Sequence, residues 1–104
     1  MGEPPRLTHQ SLKLLKLFSD RPSTRLAGSD ITRATGLASG TVYPILLRFE
    51  AHGLLERFKE PGNPELLGRP LRTYYSLTPD GRALAHQVLS DLAPARLVPR
   101  PAVI

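Results

Sequence analysis

The sequence predicts a mainly α-helical domain with one β-hairpin: three helices, a hairpin and a last helix. Apolar residues recur at helical spacing in segments 7–19, 29–35, 39 to the stop at Gly53, and 79–93. Between the third and last of these, LRTYYSL alternates with a period of two. Pro, Gly and capping residues stand at the joints.

Residues 1–6, MGEPPR, read as a flexible start. In 7–19, Leu7, Leu14, Leu15, Leu17 and Phe18 share a broad face, with Lys13 and Lys16 opposite and Leu12 off it. DRPSTRLAGS breaks this helix. The second helix, 29–35, takes Ser29 or Asp30 as cap and turns Ile31 and Ala34 inward; Gly36 ends it, because glycine tolerates the left-handed conformation there. The third begins at Ser39, whose hydroxyl is placed to accept from free first-turn amides. Val42, Ile45, Leu46 and Phe49 fall on one face. Gly40, Thr41, Tyr43, Pro44, Leu47, Arg48 and Ala51 fall mainly on the other, which carries a single charge. A solvated helix face normally carries more. A helix that lays its N-terminal residues against base edges in a major groove has this composition.

After Gly53 comes a short apolar strand, LLERFK, then EPGNPELLGRP, eleven residues with three Pro and two Gly. In LRTYYSL, Thr73, Tyr75 and Leu77 share one side, and Arg72, Tyr74 and Ser76 the other. The two strands make a hairpin with a long tip. Thr78 caps the last helix, with Pro79 at its first position. Leu84, Ala85, Val88, Leu89 and Leu92 share a face of it, away from Arg82, His86 and Ser90, and Pro94 closes it. The tail 94–104 holds three Pro and reads as irregular. Helix, glycine-containing turn and helix followed by a hairpin is the winged helix-turn-helix plan, here one domain over residues 7–93.

A chain of 104 residues allows a single modest core. Its net charge is +5, spread over both halves, and eleven of its fourteen cations are Arg, the better residue for bidentate phosphate and guanine contacts. The bland reading of this charge is a basic surface. Without Cys there is no disulfide, thiolate metal site or cysteine nucleophile. There is no long apolar run and no signal-peptide pattern, so no membrane role is read and the cytoplasm is the default compartment.

GTVYPILLRFEAHGLLE and GRPLRTYYSLTPDGRAL resemble the two signature stretches of the PadR family of bacterial transcriptional regulators, which run close to GTLYPxLxRLExxGLI and GRxRxYYxLTxxG. The Tyr43–Pro44 pair carries most weight, because Pro inside a helix removes a backbone hydrogen bond. The likeness covers roughly residues 26 to 92. Phe49 stands where the family usually has Leu, GRPLRTYY is one residue longer before its Tyr pair, and the wing is less basic than in many members. The resemblance implies a dimeric DNA-binding repressor, often released by a small ligand, with no cofactor and no enzymatic activity.

Candidate DNA contacts follow from both readings. Ser39, Gly40, Thr41, Tyr43 and Pro44 form the exposed start of the third helix; Ser39 and Thr41 equally suit plain capping, and Tyr43 plain surface cover. Arg48 is a phosphate ligand or a surface partner of Glu50. Arg69 and Arg72 flank the hairpin tip, where a wing meets minor groove or backbone. Tyr74 points outward, to bond a phosphate or cover the recognition helix, while Tyr75 belongs to the core. For dimerisation, the apolar faces of the terminal helices supply Leu12, Leu15, Leu84, Val88, Leu89 and Leu92. The bland reading of that face is intrachain core. Two copies would bind a near-palindromic double-stranded operator.

An enzyme is not read. His9, His52 and His86 lie on three separate elements, and no HExxH, phosphate loop or nucleophile motif is present. The serious competitor is a winged helix that binds protein through Tyr43 and Leu47. A small-molecule effector is implied by the family, but there is no Trp and no spare aromatic box to receive one.

Overall fold

The computed structural model describes the backbone of residues 7–97 and the side chains of residues 7–91. Its elements are α1 (His9–Asp20), β1 (Leu26–Ala27), α2 (Gly28–Thr35), α3 (Ser39–Ala51), β2 (Leu55–Lys59), α4 (Pro64–Leu67), β3 (Thr73–Leu77) and α5 (Pro79–Leu97). The loose start at 1–6 and the end of the irregular tail, residues 98–104, lie outside the described residues.

Local chemistry sets the helix ends. Thr8 caps α1, its Oγ1 accepting from the Ser11 amide at 3.1 Å. Neither Ser29 nor Asp30 caps α2. Ala27 takes the extended capping conformation, and Asp30, at the third helical position, reaches back to accept from the Ala27 amide at 2.9 Å. Gly36 does end α2, at φ 74°. The buried stripe of this short helix is Gly28 and Ile31; Ala34, expected inward, is exposed.

The hairpin gains a strand that the sequence did not reveal. The sheet is antiparallel, ordered β1-β3-β2, with Leu26 opposite Tyr75 and Leu55 opposite Leu77. Alternation then gives the sheet two unlike faces. Leu26, Leu55, Tyr75 and Leu77 are buried inside. Phe58 and Tyr74 are paired on the outer face, where the Arg25 guanidinium lies 3.7 Å over the Phe58 ring. The loop joining β2 to β3 also holds structure of its own: Asn63 caps α4, Pro64 opens it and Gly68 closes it at φ 72°.

One core joins the elements. Leu14, Leu15 and Phe18 of α1, Ile31 of α2, and Val42, Ile45, Leu46 and Phe49 of α3 meet the inner face of the sheet and Ala85 of α5. Leu15 is 0% exposed within its own chain, so it has no surface left for a second subunit, contrary to its expected place in a dimer interface. Leu12 is half-buried, and Leu84, Val88 and Leu89 are half-buried against the core. The side chain of Leu92 lies outside the described residues.

The start of α5 is bolted to the end of α3. The Thr78 hydroxyl donates to the Gly53 carbonyl at 2.6 Å and accepts from the Gly81 amide at 2.9 Å, while the Thr78 amide donates to the Leu54 carbonyl at 3.0 Å. A side chain at Gly81 would run into that same carbonyl, which makes glycine the fitting residue there. Pro94 does not close α5, which continues to Leu97. The lost bond is the one to the carbonyl of Ser90, an exposed residue whose carbonyl water can serve. Among the described residues no helix is long and apolar enough to cross a membrane, and no cluster of His, Asp and Glu is arranged to hold a metal.

Candidate nucleic-acid interface

The four inward residues of α3, each at most 3% exposed, fix which side of the helix faces out. The outward side opens on a turn without a side-chain cap. Ala38 is the N-cap residue and Ser39 is already helical, so the expected capping bond from Ser39 does not form. Ser39, Gly40, Pro44 and Arg48 are exposed and Thr41 is half-buried. A Cβ on Gly40 would find no heavy atom within 4 Å. Leu47, 57% exposed, continues this face.

Tyr43 is 43% exposed, yet its ring is laid back against α2. A methyl group on Gly28 would collide with its Oη, Cζ and Cε1. The phenol thus points toward α2 and the wing, where it lines a shallow cleft of about 300 Å³ with Gly28, Ser29, Arg57, Arg72 and Thr73.

The wing is organised by one carboxylate. Glu60 accepts from both terminal nitrogens of Arg69, at 2.7 and 2.8 Å, and from the Arg72 amide at 2.9 Å. Its own amide donates to the Arg72 carbonyl at 2.8 Å. The Arg69 hydrogen bonds, helped by the Arg72 amide, hold the Glu60 carboxyl down from 4.5 to about 2, and the same pairing raises the Arg69 guanidinium. Arg69, expected at the DNA, is therefore engaged in closing the base of the loop. Arg72 keeps its side chain exposed, and that guanidinium enters no ion pair among the described residues.

Tyr74 lies on the outer face of the sheet beside Arg25, Phe58 and Lys59, turned away from α3, so it does not cover the recognition helix as one reading expected. Arg48 is exposed and does not hold Glu50; Arg57 does, with Nε 3.2 Å from the Glu50 carboxylate. Arg57 and Gly28 are the residues that sequence reasoning passed over. The register offered a signal for the first, since Arg57 stands opposite Tyr75 and so shares the inner face.

The Glu60 cluster has a pH signature. A carboxyl whose folded pKa is depressed adds stability that is present above its unfolded pKa and lost as pH falls through the folded one. The window runs from 4.5 down to about 2. Glu60→Gln removes this contribution at every pH. The wild-type thermal midpoint is expected to exceed that of Glu60→Gln at pH 6, with the gap closing between pH 4.5 and 2. A gap constant across that range, measured by circular dichroism, would show that the ion pair adds nothing.

With this geometry in view, comparisons with known proteins agree on the class. Residues 25–87, more than half of the chain, match the transcriptional regulator PadR-like family. The chain belongs to that family, whose members are transcription regulators and not enzymes. No curated protein matches it. Among solved structures it is similar to a PadR-family transcription regulator from hypervirulent Clostridium difficile, at TM-score 0.70 and 20% identity, covering 88% of this chain and 94% of that one. The MepR–DNA complex of Staphylococcus aureus matches at TM-score 0.65 and 22% identity, over 80% of this chain and 62% of that one. NadR in complex with 4-hydroxyphenylacetate matches at TM-score 0.69 and 20% identity, over 85% and 57%. The chain spans less than two thirds of the length of the MepR and NadR chains. At these identities the likeness establishes the winged-helix fold.

Proposed function

We propose that this protein is a sequence-specific DNA-binding repressor that acts as a homodimer on a near-palindromic duplex. The observation that carries the reading is the outward side of α3: a first turn without a side-chain cap, with Ser39 and Gly40 exposed and Thr41 half-buried, and Arg48 further along, standing beside a wing that presents Arg72. Small residues let a helix approach base edges, and the cations position it on the backbone. That the neighbour MepR was solved with DNA supports the same use of the fold here. Selection of bound duplexes from a random pool is the test. A winning sequence should emerge, and the logarithm of its affinity should fall with the logarithm of salt at about −0.9 per phosphate contact. No enrichment, with a salt slope near zero, favours a protein-binding surface built on Tyr43 and the exposed Leu47.

The dimer reading rests on the terminal helices. Leu12 of α1 and Leu84, Val88 and Leu89 of α5 keep part of their apolar surface exposed on adjoining helices. Pairing these through a two-fold axis would set two copies of α3 about 34 Å apart, one helical turn of DNA. Light scattering is expected to report twice the 11.4 kDa chain mass at micromolar concentration. A monomer with and without DNA would overturn it. A small aromatic effector, suggested by NadR with 4-hydroxyphenylacetate and by the family, would bind between those helices. Unchanged thermal stability and DNA affinity across a panel of phenolic acids would remove that part of the proposal.

A further inference from the structure

The cleft between α2, α3 and the wing is not accounted for by base reading. We propose that it seats one backbone phosphate of duplex DNA, held by Arg57, Arg72 and the Tyr43 phenol, with Gly28 as the positioning residue that lets the phenol in. This rests on the DNA-binding reading above and names a site within it.

Three features converge on an oxyanion. First, two arginines, Arg57 and Arg72, line one cleft. Glu50 offsets Arg57, at 3.2 Å from its Nε, whereas Arg72 forms no ion pair among the described residues and the carboxylate its charge acts on, Glu60, is already paired with Arg69, so one cation stays in excess. Second, these donors are held ready. Glu60 grips the Arg72 main chain on both its amide and its carbonyl, and the Glu50 pair holds Arg57. A guanidinium so placed loses less freedom on binding an oxyanion bidentately. Third, hydroxyl-bearing residues, Tyr43, Ser29 and Thr73, share the lining with the small or apolar Ala27, Gly28 and Leu71. The phenol enters because residue 28 has no Cβ; any larger residue would collide with the ring and push it out. Tyr75 also lines the cleft, its hydroxyl pushed up chiefly by burial, with the Arg57 charge acting the other way. The cleft adjoins the outward side of α3, so a strand whose bases face that helix would carry its phosphates past these donors.

The test uses the full chain, fluorescence anisotropy and two duplexes, one selected from a random pool and one unrelated. Arg57→Gln and Arg72→Gln are each expected to weaken binding to both duplexes about tenfold and to lower the salt slope by about one. Tyr43→Phe should weaken both duplexes alike with the slope unchanged. Gly28→Ala should weaken both in a Tyr43 background and have no effect on affinity in a Tyr43→Ala background. Glu50→Gln gives up the support of Arg57 but removes the carboxylate that competes with a phosphate for it; the charge effect should win, tightening both duplexes. Lower thermal stability with unchanged affinity in that variant would mean a purely structural pair and would count against the seat.

The decisive arm replaces single phosphates of the selected duplex with neutral methylphosphonates. One position should exist at which Arg72→Gln costs nothing further. Additive losses at every position overturn the proposal while leaving DNA binding intact. If the scan is additive but inorganic phosphate raises the thermal midpoint of the wild type and not of Arg57→Gln, the cleft holds a free anion, which also overturns the assignment to the duplex. A chain that binds no duplex at low salt fails earlier, on the DNA-binding reading itself, and takes the seat with it.

Discussion

Phe49→Ala is expected to lower stability by about 3–5 kcal/mol, the cost of emptying a filled aromatic site in a core. Phe49 is 0% exposed on the inward face of α3, in one cluster with residues of α1, α2, the sheet and α5. A domain of this size has roughly 5–15 kcal/mol in total, so the variant loses about a fifth of it or more. At about 4–8 °C per kcal/mol, the thermal midpoint should drop by 12 °C or more. Phe49→Leu, which installs the residue usual in the family, should cost much less, since a leucine keeps most of the buried volume. Urea and thermal unfolding by circular dichroism read both. A Phe49→Ala midpoint within about 3 °C of wild type, under the same scale, would mean that the α3 face is not the centre of the core.

That same face shows what the sequence could disclose. Val42, Ile45, Leu46 and Phe49 were legible because helical periodicity is local, and so were the stops at Gly36 and Gly53, both with φ above 70°. The parity of Tyr75 and Leu77 was legible for the same reason. The two-residue β1 was not, since nothing within Leu26–Ala27 signals its partners Tyr74 and Tyr75, nearly fifty residues on. The short helix α4 carried an Asn63 cap and Pro64 at its start, but it buries no residue, so no apolar pattern marked it. The candidate site divided along the same line. The open turn at Ser39 and Gly40 followed from the helix face. The engagement of Arg69 with Glu60, nine residues away across the loop, and the seating of Tyr43 on Gly28 required the folded backbone.

Gly40→Glu is expected to abolish binding to duplex DNA, by about 100-fold or more, without unfolding the protein. The two halves of this expectation have separate causes. For the fold, Gly40 is the second residue of α3, exposed, with no heavy atom near the position of a Cβ. Glycine within a helix is less favourable than an ordinary residue by roughly 0.5–1 kcal/mol, and a carboxylate in the first turn interacts well with the helix dipole. The thermal midpoint should therefore stay level or rise. For binding, the docking proposed above puts this position where α3 comes closest to the groove. A glutamate there adds bulk at the contact and brings a negative charge toward the phosphates, a like-charge contact that costs several kcal/mol. Gly40→Ala separates the two effects. It should gain up to about 1 kcal/mol of stability and lose far less affinity than the glutamate, because a methyl group adds little bulk and no charge. Anisotropy titration at low salt, paired with thermal melts, measures both. If Gly40→Glu binds a selected duplex as tightly as wild type while remaining folded, the start of α3 does not enter the groove, and the DNA must lie on another face of the domain.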